Sequence, residues 1–317
     1  METVLISGPK RSGTHLLYRL LDGHPALFNA LAETYYLEYV DQVEESSVQC
    51  LLDHLVEADT NVLFEQIRER ALLPLFDDDA DYPEPVSQDH DMHVTIDQDE
   101  LQSQFGETRG DSERTVEGLW NAWFRALQGV ATSADDPHPV VFKCADYGPS
   151  ARSAAEYLDD RKILFIVRNP VFTFSSLRKL RNKESGAREF TTLRLIEEIS
   201  RYQRFEATRV ALAERSDVAT HTVRFEDLVL NTESCLREIC SFLGVEFRDA
   251  VTRPTFLDRS WKGDSSYDSY EGVSVEPLDP DRINLTDRER ALVADGLSDV
   301  LSRFDYDVTP EPPVTLS

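Results

Sequence analysis

Lysine is the scarcest of the common charged residues in this 317-residue chain, with six lysines against 27 arginines, and the acidic residues outnumber both together, 59 to 33. A formal net charge of -26 makes nucleic acid and anionic membrane poor partners for the surface as a whole. Acid-rich, lysine-poor surfaces suit a high-salt cytoplasm, where screening tolerates the self-repulsion; an acidic mesophilic protein is the alternative. Long apolar runs are missing too, so no membrane span is expected. The first residues, Met1-Glu2-Thr3, lack the basic start of a signal peptide, and a cytoplasmic location is expected. Cysteine is sparse. Cys50, Cys144, Cys235 and Cys240 show no metal-ligand spacing and read as reduced thiols, and no metal site is expected.

What the chain does have is a strong opening. Thr3-Val4-Leu5-Ile6-Ser7 is a short β-branched run of the kind that forms a buried parallel strand. Gly8 to Gly13 is a small-residue loop carrying Lys10 and Arg11, and a helix is expected from Thr14 to Leu21. A strand, a glycine loop and a helix N-terminus together make an anion cradle, because loop N–H groups and the helix dipole converge on one point.

Further strands are expected at Ala26 to Ala32, Pro139 to Lys143, Lys162 to Val167 and Val218 to Phe225. Helices are expected at 48–75, 115–130, 150–158, 189–215, 234–243 and, as one long element, 287–304. Residues 77–115 differ in texture, opening on Asp77-Asp78-Asp79-Ala80-Asp81, and read as an acidic surface excursion or lid with little period. Strands alternating with helices over the whole length predict one doubly wound α/β domain, residues 1–317, around a parallel sheet of about five strands.

The loop has the GxxxxG frame of a P-loop without its Gly-Lys-Ser/Thr ending, since Gly13 is followed by Thr14-His15. No apolar strand ends in an aspartate suited to Mg²⁺, which disfavours metal-assisted phosphoryl transfer. Lys10-Arg11-Ser12-Gly13-Thr14-His15 instead resembles the 5′-phosphosulfate loop of the sulfotransferases, Pro-Lys/Arg-Ser-Gly-Thr-Thr. Lys10 stands where that family has proline, and His15 where it has a second threonine. Arg168-Asn169-Pro170, with Ser176 eight residues after the arginine, is similar to the family's 3′-phosphate motif. An arginine emerging from the carboxyl end of a strand sits where ligands bind in such sheets and can grip a phosphate bidentately. Val223 to Leu228 with Ser241 to Val245 resembles the family's Arg-Tyr-Glu-Asp-Leu and Phe-Leu-Gly segments. Ser260-Trp261-Lys262-Gly263-Asp264 resembles its cationic C-terminal loop, and a solvated turn is the other reading.

The resemblance implies a P-loop-type three-layer fold with helices on both sheet faces, an inserted helical or loop region, and 3′-phosphoadenosine 5′-phosphosulfate as donor. It places Lys10, Arg11, Ser12, Gly13, Thr14, His15, Arg168, Ser176, Arg224, Lys262 and Gly263 around that nucleotide. Lys143 matches the family's second-strand lysine, a candidate for stabilising the transferred group, and Arg11 serves the leaving 5′-phosphate. Glu33 matches the carboxylate base of the tyrosyl-protein branch; His15 and His24 are the histidine alternatives, the first better suited to phosphate or helix capping and the second to a turn beside Pro25. All six lysines fall in or beside these segments, and none lies between residues 11 and 142. That pattern gathers positive potential in an acidic chain. The acceptor, whether small molecule, carbohydrate, lipid or peptide, is not identified by the sequence. Tyr35, Tyr36, Trp120, Trp123 and Phe124 are available for packing, in core or in pocket. A P-loop kinase and a silent nucleotide-binding protein of the same fold remain open alternatives.

Overall fold

The computed structural model describes residues 1–30, 98–110, 115–131, 138–183, 190–256, 259–261 and 272–309. Its centre is a five-stranded parallel sheet in the order β2-β3-β1-β4-β5, formed by β1 (Thr3–Ser7), β2 (Phe28–Asn29), β3 (Val140–Cys144), β4 (Arg161–Val167) and β5 (Ala219–Arg224). All five expected strands form, within a residue or two of the expected bounds where these are described. The first strand lies in the middle, flanked by β3 and β4, so the chain leaves the centre in both directions. In an open α/β sheet that reversal leaves a crevice at the carboxyl ends of the strands.

Period-two alternation explains why both faces are covered. Leu5, Phe142 and Phe165 point into one apolar cluster, while Val4, Ile6, Val141, Leu164 and Ile166 point into a second on the opposite face. Helix α1 (Thr14–Asp22) covers the second face with Leu17, Leu20 and Leu21. The first face receives α2 (Gln98–Gly110), α3 (Val116–Ala131), α4 (Pro149–Tyr157), α5 (Pro170–Lys183) and α6 (Thr192–Ala213). After β5 come α7 (Phe225–Leu230) and α8 (Thr232–Leu243), and a short hairpin of β6 (Thr255–Phe256) and β7 (Arg259–Ser260) follows. Trp120, Trp123 and Phe124 of α3 are buried in the first cluster; they are core and not pocket.

Two expectations are revised. The acidic stretch at 77–115 contains α2, whose Leu101 and Phe105 are buried, with the Phe105 ring edge-on to Trp123 at 5.7 Å between centroids. Two apolar residues four apart suffice to dock this helix although its remaining positions are polar. Residues 77–97 and 111–114 of that stretch, and the helix expected at 48–75, lie outside the described residues. The final long helix is two: α9 (Asp287–Gly296) and α10 (Ser298–Phe304). Gly296 packs so closely on α6 that an added Cβ would stand 2.6 Å from the Ile199 side chain. A residue of poor helix propensity there ends the first segment.

Candidate active site

The loop between β1 and α1 owes its path to two glycines. A Cβ on Gly8 would fall 2.7 Å from the Ile166 carbonyl oxygen on β4, so only glycine lets the loop pass that close. Gly13 has φ +104°, and a Cβ there would meet the Phe225 ring at 2.3 Å. Arg11 is also left-handed, at φ +69°, which costs a non-glycine residue about 1–3 kcal/mol. The loop is closed by a Ser12 N–H bond to the Pro9 carbonyl, 3.1 Å. Gly13 caps α1 and offers no side chain to its first N–H groups. Ser12 is fully buried and its hydroxyl makes no hydrogen bond within the protein. A buried donor beside uncapped helix amides fits an anionic oxygen.

The Arg168 segment comes up against this loop. Arg168 leaves the end of β4, and Asn169 caps α5 by accepting from the Val171 N–H at 2.9 Å, with Pro170 at the first helical position. Nη1 of Arg168 donates to the Arg11 carbonyl at 3.1 Å, and Nε of Arg11 donates to Ser176 Oγ at 3.0 Å. The two motifs are thereby joined twice. Arg168 is only 6% exposed, and its guanidinium lies over the Phe225 ring at 4.5 Å. Behind it, the Glu226 carboxylate accepts from the Asn169 N–H at 2.9 Å and from the Tyr306 hydroxyl at 3.0 Å. Burial raises the Glu226 pKa above the usual carboxylate value. Glu226 thus holds the motif from behind.

Lys143 is the next-to-last residue of β3, in register with Ile6. Alternation puts it on the face of Val141, the face α1 covers, and it is 3% exposed. A lysine so buried at the loop end of the sheet is a feature a packing role alone does not call for.

Other sequence candidates fall differently. Glu33, Lys262 and Gly263 lie outside the described residues. Lys10 and His15 are half-buried on the loop and the first turn of α1, with the His15 ring 6.5 Å from that of Trp261. Thr14 is buried. Arg224, at the end of β5, pairs with Asp227 at 3.7 Å and lies 5.1 Å over the Tyr306 ring. His24 follows the far end of α1, a helix about 14 Å long by its rise per residue. Its Nδ1 accepts from the Ala26 N–H at 3.1 Å, and Nε2 lies 2.8 Å from the Glu246 carbonyl, a turn role. Lys162 sits at the amino end of β4, bonded to Glu2 and to the Leu243 carbonyl, both at 2.6 Å, so it adds no potential to the crevice. The gathering of lysines is therefore incomplete, because a strand has two ends.

Two groups at the site have no local sequence signal. The Tyr202 hydroxyl, on α6, donates to the Arg168 carbonyl at 2.9 Å, and Nη2 of Arg168 donates to the Pro277 carbonyl at 2.5 Å. Only the tertiary fold brings them there. Among the described residues no group of three or more His, Cys, Asp or Glu side chains is arranged to hold a metal ion, and no helix is long and apolar enough to cross a membrane.

A family model described as the sulfotransferase family matches residues 3–249. No curated protein matches the chain. Among solved structures, the chain is similar to a sulfotransferase domain from the curacin biosynthetic pathway (TM-score 0.55, 17% identity, 96% of this chain and 98% of that one). It is also similar to the sulfotransferase domain of the Synechococcus PCC 7002 olefin synthase (TM-score 0.51, 17% identity, 97% and 95%). A third is the sulfotransferase STF9 from Mycobacterium avium (TM-score 0.50, 13% identity, 98% and 78%). At these identities the structural likeness speaks for the fold.

Proposed function

The chain belongs to the sulfotransferase family, and from that premise we propose that it transfers the sulfuryl group of 3′-phosphoadenosine 5′-phosphosulfate to a hydroxyl or amine of an acceptor by in-line displacement. The observation that carries this reading is the double link between the two phosphate motifs, Arg11 to Ser176 and Arg168 to the Arg11 carbonyl. A nucleotide with phosphates at its 5′ and 3′ positions needs two anion sites on one rigid frame, and this link supports such a frame.

The donor brings the activated sulfuryl group, and the protein has to hold it and stabilise charge. The loop N–H groups, Ser12, Thr14 and Arg11 would hold the 5′-phosphate, with Lys10 and His15 at the rim. Arg168 and Ser176 would hold the 3′-phosphate, and Arg224, Lys262 and Gly263 are assigned to the same nucleotide from the family resemblance. Negative charge grows on the leaving 5′-phosphate oxygen, so preorganised donors there act more strongly in the transition state than in the ground state. Arg11 is suited to that oxygen and Lys143 to the transferred group. Glu33 is assigned as the base that takes the acceptor proton. None of these roles calls for a metal.

Thermal denaturation of the full chain tests the reading. Stabilisation by adenosine 3′,5′-bisphosphate without metal, and none by Mg-ATP, is the expected pattern. The reverse pattern would make the protein a P-loop kinase.

A further inference from the structure

Arg168 is braced from three sides. Its carbonyl accepts from Tyr202, one Nη donates to the loop at Arg11, and the other donates to Pro277. Two of these braces come from places to which the sequence motifs assign no part. Tyr202 is on α6, and Pro277 belongs to a turn, Glu276–Leu278, beyond the residues 3–249 that the family model spans.

Both braces are themselves fixed. Tyr202 is fully buried, with its ring edge-on to Phe174 at 6.1 Å and to Phe205 at 6.0 Å. Burial raises its phenol pKa far above the ordinary value, so the hydroxyl stays protonated and keeps donating. The Pro277 turn is anchored by Leu278, 4% exposed, which sits in the same apolar cluster as Ile6 and Phe225. Seven residues on, Asn284 is tied to α5: its N–H donates to Ser175 Oγ at 3.3 Å and its Nδ2 to the Ser175 carbonyl at 3.1 Å. Ser175 is the neighbour of Ser176. The strap from 276 to 284 is thus pinned at one end to Arg168 and at the other beside Ser176.

We propose that Tyr202 and the Pro277 turn are positioning groups that aim Arg168 at a 3′-phosphate, so that preference for a 3′,5′-bisphosphate nucleotide over a 5′-phosphate nucleotide is set from α6 and the C-terminal strap. The inference rests on Arg168 being the 3′-phosphate partner, as proposed above. An arginine fork recognises phosphate through two parallel bonds, and a small error of aim loses one of them. A long, rotamer-rich side chain that is already fixed also loses less freedom when the ligand arrives. A brace that served only the fold would weaken both nucleotides alike.

Calorimetric titration of the full chain with adenosine 3′,5′-bisphosphate and with adenosine 5′-monophosphate separates the two. Wild type is expected to prefer the bisphosphate. Tyr202→Phe, which keeps the ring and removes one hydrogen bond, should raise the bisphosphate Kd about three- to tenfold and leave the monophosphate Kd unchanged. Leu278→Ala, which loosens the strap without touching Arg168, should move the ratio the same way. If both nucleotides weaken equally, or the ratio stays at its wild-type value in both variants, the positioning role is overturned. A wild type with no preference for the bisphosphate would overturn the Arg168 assignment itself, and this inference with it.

Discussion

Nε of Arg11 lies 3.0 Å from Oγ of Ser176, a contact between residues 165 positions apart that binds the first loop of the chain to the helix after the fourth strand. The Arg11 backbone is left-handed, a conformation β-branched and bulky residues avoid. Arg11→Ala removes one of the two loop cations together with this tie. Loss of a single preorganised charge-stabilising donor costs about a hundred- to a thousandfold in rate. We expect a fall in kcat/KM of that order with melting temperature within a few degrees of wild type, measured by sulfuryl transfer from labelled donor and by calorimetry. Retained transfer would remove Arg11 from the reaction.

Lys143 tests a different step. Its ammonium is enclosed at the carboxyl end of β3, and Lys143→Met keeps the stem volume while deleting the charge. If it acts on the transferred group, kcat should drop about a hundredfold and the Kd for adenosine 3′,5′-bisphosphate, which carries no sulfuryl group, should hardly change. An equal loss in both quantities would make Lys143 a binding residue instead. The separation needs only the product nucleotide and the full donor.

Much of this site was legible in the sequence because its parts are local. A strand, a glycine loop and a helix start are contiguous, and Arg168 with Ser176 is a spacing within one strand–helix unit. The roles of Lys162 and His24 turn on which end of an element they occupy, and strand and helix polarity resolves both once β4 and α1 are drawn. The break between α9 and α10 falls at Gly296, inside a stretch that reads as one helix from its length. Tyr202 and Pro277 were not legible, since they reach Arg168 across 34 and 109 residues through packing that no local pattern encodes. Helix α2 escaped for the opposite reason: with two buried apolar residues on a polar background, its period is too faint to register.

Gly13→Ala should damage stability and binding together. The backbone at φ +104° is one an L-residue rarely adopts, and the new methyl would stand 2.3 Å from a Phe225 ring that itself packs under Arg168 at 4.5 Å. Strain at such a position costs about 1–3 kcal/mol before any clash is relieved. A lower melting temperature by several degrees and loss of stabilisation by adenosine 3′,5′-bisphosphate are expected from one thermal-shift series. A variant as stable as wild type would mean that the loop can rebuild around a side chain.

The C-terminal helices are held to the site by a carboxylate, and that makes their docking sensitive to acid. Arg178, two residues after Ser176, donates to both Glu289 oxygens at 2.6 and 3.1 Å, and Glu289 also closes the capping box of α9 by accepting from the Thr286 N–H at 2.9 Å. The Arg178 bond holds the Glu289 pKa at about 2, against an ordinary 4.5. A carboxylate whose folded pKa is depressed binds fewer protons folded than unfolded, so its contribution is complete above pH 4.5 and is lost as the pH falls towards 2. Glu289→Gln should therefore lower the melting temperature at neutral pH and flatten its fall over that acid range. Melting curves of wild type and variant taken at closely spaced pH values measure this; curves that stay parallel through the range would show that the Arg178 pair does not couple to folding.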